Sequence, residues 1–284
     1  SRFEAAPDLA LQRVGEAFPK AITLILPIPM SYTIDGLTIT EQLLSLTGRA
    51  NKPFAERLHP GIPGVLGLRI PDLRALARRI AKQPDWERYL AEAEAGACSE
   101  AEDFMEARIL HGLVLGQIPV GTLEPYLQHV ARWVERINSW SVCDSFSLAG
   151  GKRLVAEHGE QLWRFLTSYL EREEEYPLRF GIVVLMQYFV DAEHVSELLE
   201  RYLTVRHEGY YVRMGLAWAI AECYLRYLEV TEPYLEERRF APWVHNKALQ
   251  KIRESLRCSP EEKRRLAALR VPLPNDEPRL PLAH

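Results

Sequence analysis

Trp140 and Asp144 stand four residues apart in Trp140-Ser141-Val142-Cys143-Asp144, a spacing that places an indole and a carboxylate on one face of a helix. Arg179 follows Trp140 by 39 residues, and Trp218 follows Arg179 by 39 more. A carboxylate stabilises a developing positive charge and orients a water, and indole faces attract cations. A guanidinium such as Arg179 would hold a phosphate and fix it against the carboxylate, or would otherwise meet a carboxylate or water. Each residue taken singly also fits a structural role. Ser139 or Ser141 caps a helix whose Trp140 enters the core, Arg179 pairs with Glu174 or Glu175, and Trp218 packs inside. Cys143 beside the acid has no nearby histidine in sequence and reads as a small packed residue rather than a nucleophile.

The elements that must position these residues are helical. Ile70-Pro71-Asp72-Leu73 puts proline at a first helical turn, ahead of apolar Leu76, Ala77 and Ile80. Ser99 with Glu102, and Ser259-Pro260 with Glu262, read as capping boxes, the first opening a helix from Glu100 to Leu115. Between them the periodicity predicts helices at about 121–137, 140–157, 159–173, 176–190, 192–205, 209–229, 231–238 and 241–257. Phe180 to Val190 is apolar nearly all round, as in a covered helix, whereas Gln161 to Arg172 alternates faces like a cover helix. Paired inner and outer helices, with the 39-residue spacing close to the period of about 40 of HEAT-type repeats, predict an all-α superhelical solenoid whose inner helices share one concave wall.

Residues 1–37 read as an appendage, with a strand-like Ile22-Thr23-Leu24-Ile25-Leu26 run, followed by a repeat domain over 38–270 and a flexible proline-rich tail over 271–284. With 284 residues and 47% hydrophobic content the chain can bury a sizeable core, and its net charge of −4 gives no overall attraction to nucleic acid. A DNA-binding surface would have to be local. The basic candidates for it are Lys152, Arg153, Arg213, Lys247 and Lys251, each of which also fits a solvated helix face. Cys98, Cys143, Cys223 and Cys258 are dispersed and the histidines lack ligand spacing, so no metal, no cofactor and a reducing cytoplasm are expected. Ala21 to Met30 is too short, and too broken by Pro27 and Pro29, to span a membrane.

From about Leu66 to Ala268 the chain resembles the AlkD-like DNA alkylation repair glycosylases, which are HEAT-like repeat proteins. Asp144, Trp140, Arg179 and Trp218 occupy the places of that family's aspartate, the tryptophan four residues before it, and the following arginine and second tryptophan. Similar stretches are Ile109 to Val114, Arg179 to Val183, Tyr210 to Met214 and Asn246 to Ile252. The resemblance implies a monomer that hydrolyses the glycosidic bond of N3- or N7-alkylated purines in duplex DNA without flipping the lesion into a pocket.

In that family a short helix with an aromatic residue precedes the stretch matching Leu66 to Pro71 and contacts DNA near the lesion. Here Arg57 to Gly64 holds two prolines and two glycines, with Leu58 at about the aromatic's place, which predicts that the helix is missing. That would put the chain in the branch lacking this helix. It also keeps open a non-catalytic HEAT-like module that binds DNA or protein through the same wall.

Overall fold

The computed structural model describes residues 31–95 and 104–274. The chain divides into residues 1–31 and 32–284, and all that follows concerns the second unit. The strand-like run at 22–26, the proposed cap at Ser99 and Cys98 lie outside the described residues.

A short antiparallel hairpin, β1 (Thr33–Ile34) and β2 (Leu37–Thr38), opens the unit and pairs Thr33 with Thr38 and Ile34 with Leu37. Asp35 and Gly36 take the left-handed conformations that a tight two-residue turn requires, with φ of 52° and 77°. Tyr32 and Ile34 are buried in the main core, so this hairpin packs with the helical body.

The rest is helical: α1 (Ile39–Ser45), α2 (Lys52–Leu58), α3 (Ile70–Ala81), α4 (Trp86–Ala95), α5 (Met105–Leu115), α6 (Leu123–Val134), α7 (Trp140–Asp144), α8 (Lys152–Ser168), α9 (Glu175–Tyr188), α10 (Val195–Thr204), α11 (Tyr210–Arg226), α12 (Leu228–Glu236), α13 (Pro242–Glu254) and α14 (Pro260–Ala267). From α3 onward each odd-numbered helix packs on the next odd one through α13. The even row is looser, with close packing between successive members only at α4–α6 and α10–α12. A stacked array that is tight on one row and spread on the other is a superhelix curved with the tight row inside. The fold is the all-α repeat solenoid expected.

The repeat length differs from the spacing that first indicated it. Inner helices begin at Met105, Trp140, Glu175 and Tyr210, 35 residues apart each time. Trp140, Arg179 and Trp218 are therefore not equivalent positions: they are the first, fifth and ninth residues of α7, α9 and α11. Asp144 and Arg179 are the equivalent pair, each fifth in its helix.

One helix predicted at 140–157 is broken. Chain 145–151 is non-helical and ends in Gly150 and Gly151 at φ of 73° and 53°, which a continuous helix does not allow, and α8 then runs through the predicted gap at 158 with only a kink at His158. α9 is covered on all sides, as its composition required, with every residue from Pro177 to Met186 buried. At the other end, Ser259 accepts from the Glu262 amide at 3.2 Å and starts α14. Val271, where a tail was expected to leave, is held by Asn246 at both main-chain polar atoms.

The prediction that no short helix precedes Leu66 is corrected. Residues 59–64 are indeed non-helical, but α2 lies just upstream, with Asn51 as N-cap and Pro53 in its first turn, where proline is tolerated. It carries Phe54, half exposed. Gly67, at φ +76°, anchors this segment: its carbonyl accepts from the Asn51 amide at 3.0 Å. The buried Glu106 carboxylate accepts from the amides of Leu66, Gly67 and Leu68.

Gly67→Ala is accordingly expected to loosen α2. The added methyl would meet the Lys52 main chain at 2.6 Å. Together with the left-handed backbone this costs about 2 kcal/mol, or a drop in melting temperature of about 4–8 °C for a domain this size. A circular-dichroism melt checks it, and an unchanged midpoint would mean that α2 is not held this way.

Candidate active site

The inner wall at α7, α9 and α11 is built around one ion pair. Arg179 donates Nε–H to Asp144 Oδ1 at 3.0 Å and Nη2–H to Oδ2 at 2.7 Å, the parallel geometry that suits a guanidinium to a carboxylate. Its Nη1 donates to the Tyr211 carbonyl of α11. Arg179 is only 5% exposed, while the Asp144 side chain keeps 18% of its surface. Burial opposes the charge on Arg179, but its hydrogen bonds and attraction to Asp144 outweigh this and leave its pKa above the usual arginine value. Neither glutamate suggested as a partner is used: Glu174 pairs with Arg172, and Glu175 accepts from the Tyr211 amide at 2.8 Å.

Gly215 packs closely on the α11 side, where a β-carbon would stand 3.3 Å from Arg179 Nη1. Tyr211, Gly215 and Trp218 are spaced four and three residues apart, so they share the face of α11 turned to α9. Trp218 is half-buried against the core rather than sealed in it.

On α7, Ser139 accepts from the Val142 amide at 3.3 Å and caps the helix, as one of the two serines was expected to do. Trp140 is also half-buried, and its Nε1–H donates to the Leu58 carbonyl at 3.2 Å. His59 stacks on its ring, with centroids 5.0 Å apart and planes inclined by 12°. Cys143 faces inward, and burial first, then the neighbouring Asp144, push its thiol well above the ordinary range. That is the behaviour of a packed cysteine.

The basic candidates separate into groups. Lys247 lies 5.7 Å over the Trp243 ring, and Arg213 lies 4.9 Å over the same ring while almost fully buried. Burial lowers the Lys251 ammonium below the usual lysine range; Lys247 and Arg179 act in the same direction, Glu254 and Asp144 against it. Lys251 is thus within electrostatic reach of the ion pair. Lys152 and Arg153 are exposed at the start of α8, Arg153 facing Glu157 at 3.9 Å, and neither is hydrogen-bonded to the Asp144–Arg179 unit.

Several neighbours were not legible as site residues. His59, Ser141, Gly215 and the Tyr211 carbonyl act through contacts between layers. Tyr176, Tyr211 and Trp243 had a signal: each is the second residue of its inner helix, and Tyr176 and Tyr211 stack at 5.9 Å. A search for aromatics at a 35-residue period would have found the first two.

Removing either member of the pair is expected to destabilise the fold, since it leaves a desolvated charge without its partner. Arg179→Met should cost about 3 kcal/mol, read as a lower urea midpoint. Combined with Asp144→Asn it should cost much less than the two single losses together. Additive losses would show that the pair is not coupled.

The described residues contain no group of histidine, cysteine and carboxylate side chains able to hold a metal ion, and no helix long and apolar enough to cross a membrane. No curated protein and no solved structure matches the chain. A family model described as DNA alkylation repair enzyme matches residues 39–252, from the first residue of α1 to the last buried residue of α13, three quarters of the chain. The chain belongs to the DNA alkylation repair enzyme family, the AlkD-like group that its tryptophan, aspartate and arginine spacing resembles.

Proposed function

We propose that this protein hydrolyses the N-glycosidic bond of N3- or N7-alkylated purines in duplex DNA. The observation that carries the reading is a rigidly held carboxylate, Asp144, which retains access to the wall and has Trp140 on the same helix face.

An N3- or N7-alkylated purine already bears positive charge and leaves as a neutral base, so the reaction needs little acid catalysis. The demanding species is the sugar cation at C1′. Asp144 stabilises it through space and orients the water that adds to it. Trp140 and Trp218 turn electron-rich faces to the deoxyribose and the cation. Arg179, expected from the sequence to hold a phosphate, is engaged instead by Asp144 and the Tyr211 carbonyl. Its part is to fix the catalytic carboxylate. Phosphate contacts then fall to other cations, Lys247 and Lys251 foremost. Phe54 on α2 supplies the exposed aromatic that the resemblance associates with DNA contact beside the lesion, which favours the catalytic branch.

A second reading draws on the same ion pair. Both Asp144 oxygens are engaged by Arg179, which would suit a wall that binds DNA without performing chemistry on it.

Release of 7-methylguanine or 3-methyladenine from methylated duplex DNA separates the two. Wild-type protein should release base, and Asp144→Asn should slow release by about 100-fold or more while retaining DNA binding. No release under conditions where an active family member works would favour the binding module. Independently, Lys247→Ala with Lys251→Ala should reduce the slope of log affinity against log salt by about 1.8. An unchanged slope would remove these lysines from the interface.

A further inference from the structure

We propose that His59 is a positioning residue for Trp140, and that it couples α2 to the Asp144 carboxylate. The imidazole is 5% exposed and is held at both nitrogens. Its Nδ1–H donates to the Ala55 carbonyl on the last turn of α2 at 2.7 Å, and its Nε2 meets the Ser141 hydroxyl of α7 at 2.6 Å. A ring anchored to two elements at opposite edges has no freedom to rotate. Trp140 lies flat against it, and the indole edge is tied to the Leu58 carbonyl next door.

Three constraints thus act on one indole: a stacked face, a hydrogen-bonded edge and a capped helix start. Their consequence is directional. His59 covers one face of Trp140, so only the opposite face is left for a substrate cation. The plane of that face is set by an imidazole whose own position is set by α2. Because Trp140 and Asp144 share α7, the latch also fixes where the indole stands relative to the carboxylate. Residues 58 and 59 lie at the start of the segment whose glycines and prolines seemed only to break a helix. They serve to stop α2 where its last carbonyl and the following histidine reach Trp140.

This inference rests on the proposed cation-stabilising role of the site, and the experiment separates the two. The probes are two DNA duplexes, one with a single pyrrolidine sugar analogue, cationic at neutral pH, and one with the neutral tetrahydrofuran analogue at the same position. The wild-type protein should prefer the cationic duplex. His59→Ala should reduce that preference by about fivefold, with affinity for the neutral duplex within twofold of wild type. His59→Gln, which keeps polar reach to Ser141 but lacks the aromatic face, should behave alike and serves if the alanine variant does not fold. His59→Phe, which restores a flat ring, should recover part of the preference.

In parallel, the emission of Trp140 is isolated by subtracting spectra of the matching Trp140→Phe proteins. Loss of the imidazole should shift it to the red and raise its quenching by acrylamide. A folded His59→Ala or His59→Gln protein with unchanged Trp140 emission and quenching would overturn the positioning role. If the wild type shows no preference for the cationic duplex, the reading of the site as a cation stabiliser falls, and the Trp140 emission alone decides the role of His59.

Discussion

A guanidinium almost wholly withdrawn from water must be matched by an anion, and the wall of this solenoid is organised around how Arg179 is matched. Its charge is met by a carboxylate one repeat earlier and by a main-chain carbonyl one repeat later. From its own layer the arginine therefore bonds to the layers on both sides and ties three together. A solenoid is held mainly by contacts between neighbouring repeats, and the rotation of one on the next sets its curvature. A buried ion pair with fixed bidentate geometry selects one register of stacking, because a slipped register would strand two desolvated charges. We regard specificity of register, more than net stability, as its structural contribution.

Other polar contacts repeat the arrangement along the chain. Arg172 reaches Glu135, Tyr234 reaches Glu200, and Arg257 reaches Glu222, each across one repeat. Those pairs are partly solvated and individually weak. What distinguishes the Asp144–Arg179 pair is burial on one side and access on the other. Its arginine is sealed, whereas its carboxylate still meets the wall. That asymmetry turns a structural ion pair into a candidate site.

Much of this was legible in the sequence because helix periodicity and i,i+4 spacing are local. The covered character of α9, the amphipathic α3, the cap at Ser139 and the shared face of Trp140 and Asp144 all follow from residues within a few turns of each other. The misread parts depended on something else. Gly150 and Gly151 break a helix through their backbone conformation, which the apolar pattern across them hides. α2 is only seven residues long, a length marginal for an isolated helix, and it is secured by Gly67 and Glu106 from a different part of the chain. The partner of Arg179 was sought among its sequence neighbours, whereas in a solenoid the nearest neighbour in space is one repeat away. His59 stood in a stretch read for its glycines, its prolines and Leu58.

The difference between a 35-residue repeat and the 39-residue spacing of the candidate site residues has a geometric meaning. Had Trp140, Arg179 and Trp218 recurred every 35 residues, they would stand level, side by side on three inner helices. Four extra residues per step move each one a turn further along its helix, about 6 Å at 1.5 Å per residue. Since Asp144 is level with Arg179, Trp140 lies one turn before the carboxylate and Trp218 one turn after it. The two indoles are thus offset to opposite sides of the charge, and the three helices present a diagonal rather than a row. A diagonal places the two indoles one turn before and one turn after the level of the carboxylate. Such an arrangement cannot be made within one helix, whose successive turns lie on a single line. It requires layers stacked in one register, and the buried arginine enforces that register.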